Sequence, residues 1–497
     1  MPNLLPAALS NLDDYVAHAL QAWDVPGLAL AIVKDDVLVH ARGYGYRALG
    51  RPEPVDADTL FATGSNTKAF TATALGLLVH EGKLSWDDPV TRYLPGFELY
   101  DPYVTHALTV RDLLCHRCGL ATWAGDFTAY GSIYTRAEVL QRVRHIPPAF
   151  GFRAGFGYSN LMFLAAGQII PAVTGQTWED FVAARLLKPL GMVRSTLSVP
   201  AQASAGDVAT PHTRAGGRIV AVPYRGADPL APAGALNSSA RDMAQWLRLQ
   251  LGDGEYAGTR LVDADVIEET RTPHTPMRLD ALAREFFPTR HFSAYGLGWF
   301  LADHHGRLLV SHGGGIDGML SQCGFVPEEH LGVVVLTNYD HHALHNALFS
   351  YVIDAYLGAA SQDPSAMLLE HFGQMQRQLA QTWQQAEAAR VPRTQPSLPL
   401  DAYTGTYVDS VYGTATIAVE DGVLCLRLEG HPDIAGRLEH WHYDTFLCRW
   451  SDPVLDRGLV PFTLDAQGKA VEFRLQIRPE FIDPLEYVFR RVEQPAG

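Results

Sequence analysis

The stretch Phe61-Ala62-Thr63-Gly64-Ser65-Asn66-Thr67-Lys68 places a serine and a lysine three residues apart. From Ser65 to His80 the chain is rich in Ala, Leu and Thr, and Glu81-Gly82 follows as a C-cap would, so a long, mostly buried helix is predicted. Residues at i and i+3 share a helix face, with Cβ atoms roughly 5–6 Å apart. The amine of Lys68 is therefore expected to reach the hydroxyl of Ser65.

This pair has the chemistry of an activated nucleophile. A serine hydroxyl attacks well only when a neighbouring base accepts its proton. A lysine with an ordinary pKa of about 10.4 needs a shift of about 3 units, or ~4 kcal/mol, to serve near pH 7. Burial and a helix N-terminus both favour that shift, and free N–H groups at the helix start stabilise developing negative charge. The spacing alone also occurs by chance, so it needs support elsewhere in the chain.

Two later segments supply candidate partners. Tyr158 and Asn160 lie in the segment Gly157-Tyr158-Ser159-Asn160, just before an apolar helix; taken alone, this is also the pattern of an N-cap. His312 leads a strand into Gly313, Gly314 and Gly315. Glycines at a sheet edge let a substrate backbone approach closely, although they also form ordinary turns.

Strand patterns occur at both ends of the first 360 residues, with helices between them. The chain is predicted to be α+β: one mostly antiparallel sheet flanked by helices, a helical subdomain, and a C-terminal small antiparallel β-barrel. The predicted domains are 1–360, a helical linker 361–397 that ends in a Pro-rich break, and 398–497. The strands are expected at Leu28–Val33, Val37–Ala41, Tyr295–Leu301, Arg307–Ser311, Cys323–Val326 and Gly332–Thr337.

Composition excludes several classes of protein. The 497 residues are 47% hydrophobic and 19% charged, which is typical of a globular chain rather than a disordered one. The net charge of −15 argues against nucleic acid as a partner. No apolar run approaches the ~20 residues of a membrane span, and the N-terminus has no pattern of a secretory signal, so we expect a cytoplasmic protein that does not bind membranes.

The three segments occur in the order SxxK, YxN and HGG, and together they resemble the serine β-lactamase and penicillin-binding-protein superfamily. The chain is most similar to its class C branch, peptidase family S12, with D-aminopeptidases, D-stereospecific peptidases and esterases as relatives. HEGKLSWDDPVTRYLP, LTVRDLLCHRCGL, PLGM, PAGALNSSARDMAQW and YGLGW extend the resemblance over roughly residues 10–360. Residues 398–492 resemble the lipocalin-like domain that some members carry.

The resemblance implies a role for each motif residue. Ser65 would be the acylated nucleophile, Lys68 its proton partner and Tyr158 the second general acid and base. Asn160 would orient Lys68 and bind the substrate amide. The backbone N–H groups of Ser65 and Gly315 would form the oxyanion hole, beside His312, Gly313 and Gly314. The sequence does not decide whether Lys68 or Tyr158 takes the serine proton.

The chain departs from the family pattern at two places, and the first bears on the class of substrate. His312 stands where many members have a lysine that holds a substrate carboxylate; with an ordinary pKa near 6.5, only about a quarter of it would be charged at pH 7. Strong β-lactamase activity is therefore not expected, and the resemblance favours peptide or small amide substrates that contain D-amino acids, in the manner of S12 peptidases. Cys115 and Cys118 replace small polar residues in LLCHRCGL and are interpreted as packing residues.

The predicted function is thus a serine hydrolase with a small peptide, amide or ester substrate, and with no cofactor and no metal. A carboxylesterase or weak β-lactamase on the same scaffold is one alternative. A non-catalytic binding protein is another, and self-association through the C-terminal domain is a further prediction. HGGG without a G-x-S-x-G elbow argues against an α/β-hydrolase, and the glycine pattern from Gly313 to Gly318 lacks the βαβ unit of a dinucleotide site.

Overall fold

The centre of the first domain is an eight-stranded antiparallel sheet. The computed structural model describes residues 5–359, 363–477 and 482–492. The strands are β1 (Gly27–Lys34), β2 (Val37–Gly45), β3 (Thr275–Met277), β4 (Ser293–Tyr295), β5 (Phe300–His304), β6 (Arg307–Ile316), β7 (Met319–Val326) and β8 (Leu331–Thr337). Their order across the sheet is β2-β1-β8-β7-β6-β5-β4-β3.

Strands from the two ends of this domain meet at the middle of the sheet. Strand β1 pairs with β8 in the register Leu30↔Val335, and both strands are buried along almost their whole length. Because side chains alternate along a strand, Leu30 packs into one apolar cluster and its neighbour Ala31 into another, on the opposite face. The sheet is therefore covered on both faces in its central part.

Helices supply both covers. The longer helices are α1 (Leu12–Ala22), α2 (Thr67–His80), α3 (Asn160–Thr174), α4 (Ala240–Leu251), α5 (Leu344–Leu357) and α6 (Pro364–Ala388). Helices α1 and α5 share a core on one face, while α2, α3 and α4 share the core on the other. The shorter helices are Pro102–Ala107, Val110–Leu113, Arg136–Val143, Trp178–Val182, Val199–Ala203, Ala231–Gly234, Ala264–Thr270 and Ala281–Phe286.

One predicted strand is wrong in its extent. Tyr295–Leu301 was expected to be continuous, but β4 ends at Tyr295 and β5 begins at Phe300. The turn between them contains Gly298 at φ +79°, and a Cβ there would meet the carbonyl oxygen of Lys68 at 2.8 Å. Close packing against helix α2 therefore turns the chain at this point.

The C-terminal strands form a closed antiparallel barrel of eight strands, since the first pairs with the last at Tyr407↔Arg491. Its interior is filled by aromatic rings; Tyr407 lies 5.0 Å from Phe473 and 6.2 Å from Phe462 between ring centroids. The strands are β9 (Gly405–Asp409), β10 (Gly413–Glu420), β11 (Val423–Leu428), β12 (Ala435–His442), β13 (Thr445–Trp450), β14 (Gly458–Leu464), β15 (Ala470–Gln476) and β16 (Glu486–Arg491). Shorter two-residue and four-residue strands pair as Phe61–Ala62 with Asn237–Ser238, His212–Ala215 with Arg218–Ala221, and Glu255–Tyr256 with Thr259–Arg260.

The predicted fold class is confirmed: an antiparallel sheet flanked by helices, followed by a small antiparallel barrel. The predicted boundary between residues 360 and 361, the last five residues of the predicted 398–497 domain and the first four of the N-terminal segment lie outside the described residues. Within the described ranges, no helix has both the length and the apolar character needed to cross a bilayer.

Candidate active site

Ser65 lies in a tight turn, Gly64–Asn66, that leads into helix α2. Gly64 has φ +52°, and a Cβ there would meet the backbone nitrogen of Gly315 at 2.8 Å. The hydroxyl of Ser321 on β7 donates a hydrogen bond to the carbonyl oxygen of Thr63 (2.8 Å). The turn is thus held against β6 and β7, with Ser65 partly exposed between buried neighbours.

Lys68 is buried beside Ser65, as the spacing predicts. Its Nζ lies 2.9 Å from Ser65 Oγ, 2.6 Å from Asn160 Oδ1 and 2.9 Å from the carbonyl oxygen of Ala233. Burial lowers the pKa of Lys68 to about 7, while Asp126 acts in the opposite direction. A neutral amine has two N–H donors and one lone pair, so it can donate to Asn160 and Ala233 while accepting the Ser65 proton.

Tyr158 completes the group at the start of helix α3. Its hydroxyl faces the side chain of Ser65, and its ring centroid lies 4.8 Å from Lys68 Nζ. Burial raises the pKa of Tyr158 above its ordinary value, so the phenol stays protonated. The N-cap interpretation of this segment also holds, because Ser159 Oγ accepts a hydrogen bond from Met162 N–H.

Asn160 is oriented by Asp126, a residue that no sequence motif marks. Asn160 Nδ2 donates to Asp126 Oδ2 at 2.6 Å, so its Oδ1 faces Lys68. Asp126 is 4% exposed, and burial raises its pKa to about 8. Lys68 and Asp126 therefore titrate in the same pH range on either side of one amide.

His312 is more enclosed than we expected. The ring donates from Nδ1 to the carbonyl oxygen of Gly313, and Nε2 accepts from the Tyr295 hydroxyl at 2.9 Å. Burial, assisted by Lys68, lowers the pKa of His312 to about 3. The expectation of a partly charged imidazole at pH 7 is therefore wrong, because it used the pKa of an exposed ring.

The three glycines after His312 have different surroundings. The backbone of Gly315 lies against Gly64, where a Cβ would meet the Gly315 nitrogen at 2.8 Å, and a Cβ at Gly314 would meet the Thr63 carbonyl oxygen at 1.9 Å. Pairing of β6 with β5 ends at Ser311, so the edge from His312 onward is paired only with β7 in the sheet. Gly313 borders a cleft of about 710 Å³ whose lining does not include Ser65.

His116 is a second residue that was not predicted, although it lies within LTVRDLLCHRCGL. Its Nδ1 accepts a hydrogen bond from the N–H of Ser159 at 3.0 Å, and its ring lies 4.1 Å from that of Tyr158. Burial keeps the pKa of His116 well below its ordinary value, so the ring is neutral. It supports Tyr158 and the loop that carries it.

Cys115 and Cys118 are buried and unpaired, and burial raises their pKa values to about 12 and 11. Both are therefore protonated thiols, as packing residues would be. In the described part of the chain, the one group that could hold a metal ion is His304, His305 and Asp354, with ligand atoms within 4.8 Å of one another. His304 Nε2 is already bonded to Asp354 at 2.6 Å, which accounts for the contact without a metal.

Comparisons with known proteins agree with the fold. The β-lactamase family model matches residues 12–357, and a domain of unknown function (DUF3471) matches residues 389–489. The unguisins hydrolase ungD' of Aspergillus campestris is 30% identical over 429 residues, covering 81% of this chain and 76% of that protein.

Solved structures give the same picture. The octameric penicillin-binding protein homologue from Pyrococcus abyssi has a TM-score of 0.64 at 24% identity and covers 97% of this chain and 100% of its own. The D-stereospecific amidohydrolase from Streptomyces has a TM-score of 0.54 at 24% identity, and the match covers 70% of this chain and 98% of that protein. These likenesses show a shared fold.

The fold, the clustered motif residues and the family match define a serine hydrolase of the β-lactamase and penicillin-binding-protein superfamily. The chain belongs to the β-lactamase family. The alternative of a non-catalytic binding protein is therefore set aside.

Proposed function

We propose that Ser65 is the nucleophile of an acyl-enzyme mechanism and that Lys68 is its base. The observation that carries this proposal is the position of Lys68 Nζ, 2.9 Å from Ser65 Oγ, with Asn160 and Ala233 accepting its two N–H bonds. As Ser65 Oγ bonds to the substrate carbonyl carbon, its proton passes to Nζ. Because the Tyr158 phenol is protonated, we assign the acylation base to Lys68 rather than to Tyr158.

Tyr158 then serves as the acid for the leaving group. It donates its proton to the leaving nitrogen as the C–N bond of an amide breaks, and the phenolate that results recovers a proton from the Lys68 ammonium, which becomes neutral again. Water then attacks the acyl carbonyl and gives a proton to Lys68; as the ester C–O bond breaks, this proton is delivered to Ser65 Oγ and the carboxylic acid departs. The N–H groups of Ser65 and Gly315 would bind the developing oxyanion, which is worth about 2.7–4 kcal/mol per donor in comparable sites.

We propose amides and peptides, including peptides with D-amino acids, as the substrate class, in the manner of family S12. The names of two similar proteins, an unguisins hydrolase and a D-stereospecific amidohydrolase, support this choice. A carboxylesterase on the same site remains the second candidate, since the partly exposed Ser65 does not select between an amide and an ester. The neutral, internally bonded His312 offers no cation to a substrate carboxylate, which disfavours strong β-lactamase activity.

Self-association through the barrel is a separate proposal, supported by the octameric state stated for the Pyrococcus abyssi homologue. Light scattering of the full chain should give a mass that is a multiple of 54.5 kDa. A mass of one chain at micromolar concentration would contradict it.

The substrate proposal is tested by comparing D- and L-aminoacyl p-nitroanilides with p-nitrophenyl esters of matched acyl groups. We expect turnover of at least one anilide series and its loss, by at least about 10³-fold, in Ser65→Ala. Ester turnover with no anilide turnover would assign the carboxylesterase instead. Activity that persists in Ser65→Ala would refute both.

A further inference from the structure

A short turn, Asp126–Thr128, lies between the catalytic group and the barrel. On one side Asp126 accepts the hydrogen bond from Asn160 that orients its amide towards Lys68. On the other side, the ring of Phe127 stacks on His431 of the barrel at 4.0 Å, with 3° between the planes. The carbonyl oxygen of Tyr130, just after the turn, is bonded to the same His431 ring at 3.1 Å. The turn is therefore fixed from both sides.

The barrel also places a carboxyl group behind this turn. Asp483 is 0% exposed and accepts hydrogen bonds from the hydroxyls of Tyr487 (3.0 Å) and Tyr412 (3.2 Å). It also accepts from the N–H of Leu485 at 3.1 Å, and the backbone N–H of Gly125 in the first domain faces it closely enough to lower its pKa. Gly125 lies at the start of the turn, and the ring of Tyr412, which donates to Asp483, lies 5.9 Å from the ring of Phe127, so Asp483 is linked to the turn through Tyr412.

We propose that Asp483 is a positioning residue for Lys68, supplied by the barrel and acting through the Gly125–Asp126 turn and Asn160. This inference rests on the proposed function, because Lys68 is the group whose state it controls. It assigns the barrel a part in acylation rather than a role in assembly alone.

The charges in this cluster predict whether Asp483 favours the neutral or the charged form of Lys68. The titratable groups that face Asp483 and Asp126 are Lys68, Tyr158, Tyr412 and Tyr487, and Asp409 faces the two barrel tyrosines. Burial raises the pKa of Asp483 to about 6 and that of Asp126 to about 8, and the charge of Asp483 contributes to the second shift. Between these values Asp483 is ionised and Asp126 is protonated. A protonated Asp126 does not hold Lys68 in its charged form, so the amine is free to act as a base near pH 7.

Removing the charge of Asp483 should therefore lower the pKa of Asp126. Asp126 would then ionise at lower pH and stabilise the ammonium form of Lys68. The acid limb, the part of the pH–rate profile in which Ser65 acylation slows as Lys68 becomes protonated, would move to higher pH. The second-order rate constant for labelling by a fluorophosphonate reports this limb without knowledge of the substrate. It should be measured from pH 5 to 9 in the full chain.

The variants are Asp483→Asn and Tyr487→Phe, with Asp452→Asn as the matched control. Asp452 is another barrel carboxylate that bonds to the first domain, through Arg225, without contacting the Asp126 turn. We expect Asp483→Asn to raise the midpoint of the acid limb by roughly half a pH unit. At pH values below that midpoint, labelling should then be about threefold slower. Tyr487→Phe removes one donor to Asp483 and should give a smaller shift in the same direction, while Asp452→Asn should give none.

Unmoved limbs in both Asp483→Asn and Tyr487→Phe, with labelling still at Ser65, would overturn the inference and leave the proposed function standing. Labelling at another residue in the unaltered protein would instead refute the proposed function. If thermal unfolding shows that Asp483→Asn does not fold cooperatively, Tyr487→Phe decides the result. A limb shift of equal size in Asp452→Asn would show a general effect of docking and would also overturn the inference.

Discussion

The pH dependence of acylation is the sharpest consequence of a buried lysine base. With the pKa of Lys68 near 7, about 99% of the amine is neutral at pH 9 and about 1% at pH 5. Lowering the pH from 9 to 5 should therefore reduce kcat/KM about a hundredfold, with a slope of one at the acid end, where Asp126 is already protonated. A lysine with an ordinary pKa of about 10.4 would instead give a rate that still rises tenfold per unit at pH 9.

Steady-state hydrolysis of a p-nitrophenyl ester, with kcat/KM taken at each pH, measures this limb. Lys68→Arg keeps a positive charge but cannot lose its proton in this range, so kcat/KM should fall by about 10²–10⁴. His312→Gln is the control: with a pKa of about 3, His312 does not titrate between pH 5 and 9, and the limb should stay in place. If the acid limb shifts or disappears in His312→Gln, or if Lys68→Arg keeps near-normal activity, the assignment of Lys68 as the base is refuted.

Three further results are expected from other parts of the site. Gly314→Ala should destabilise the protein by about 1–3 kcal/mol or more, because the new Cβ would lie 1.9 Å from the Thr63 carbonyl oxygen. The control is Gly96→Ala, whose Cβ would meet no atom within 4 Å. Thermal unfolding compares the two variants, and equal melting temperatures would contradict the close approach at Gly314. Asn160→Ala should lower kcat by about 10- to 100-fold with a smaller change in KM, since it misplaces Lys68, and an unchanged kcat would count against that role. A thiol reagent at pH 8 should modify none of the five buried cysteines in the folded protein and all five in denaturant; rapid native reaction would contradict their burial.

Local sequence was sufficient for the elements and residues whose causes are local. Apolar runs such as those of β1 and β8 predicted a sheet built from both ends of the domain. The spacing of Ser65 and Lys68 predicted their contact because one helix start fixes it. Each of these depends on neighbours only a few residues away.

The remaining features depend on contacts across long stretches of sequence. Asp126 belongs to the site because it meets Asn160, 34 residues later, and no motif marks it. The pKa of His312 depends on the burial of its ring and on the charge of Lys68, and the ordinary pKa of an isolated histidine includes neither. The docking of the barrel, which brings Asp483 to the turn at Gly125, has no signature in either segment alone.

The central claim is that Ser65 forms a covalent bond to the acyl group or to an inhibitor that mimics it. The most direct measurement is the intact mass of the full chain after fluorophosphonate treatment, followed by peptide mapping. The account predicts a single adduct on the peptide that contains Ser65 and no adduct in Ser65→Ala. An adduct on any other residue, or one that persists in Ser65→Ala, would contradict it.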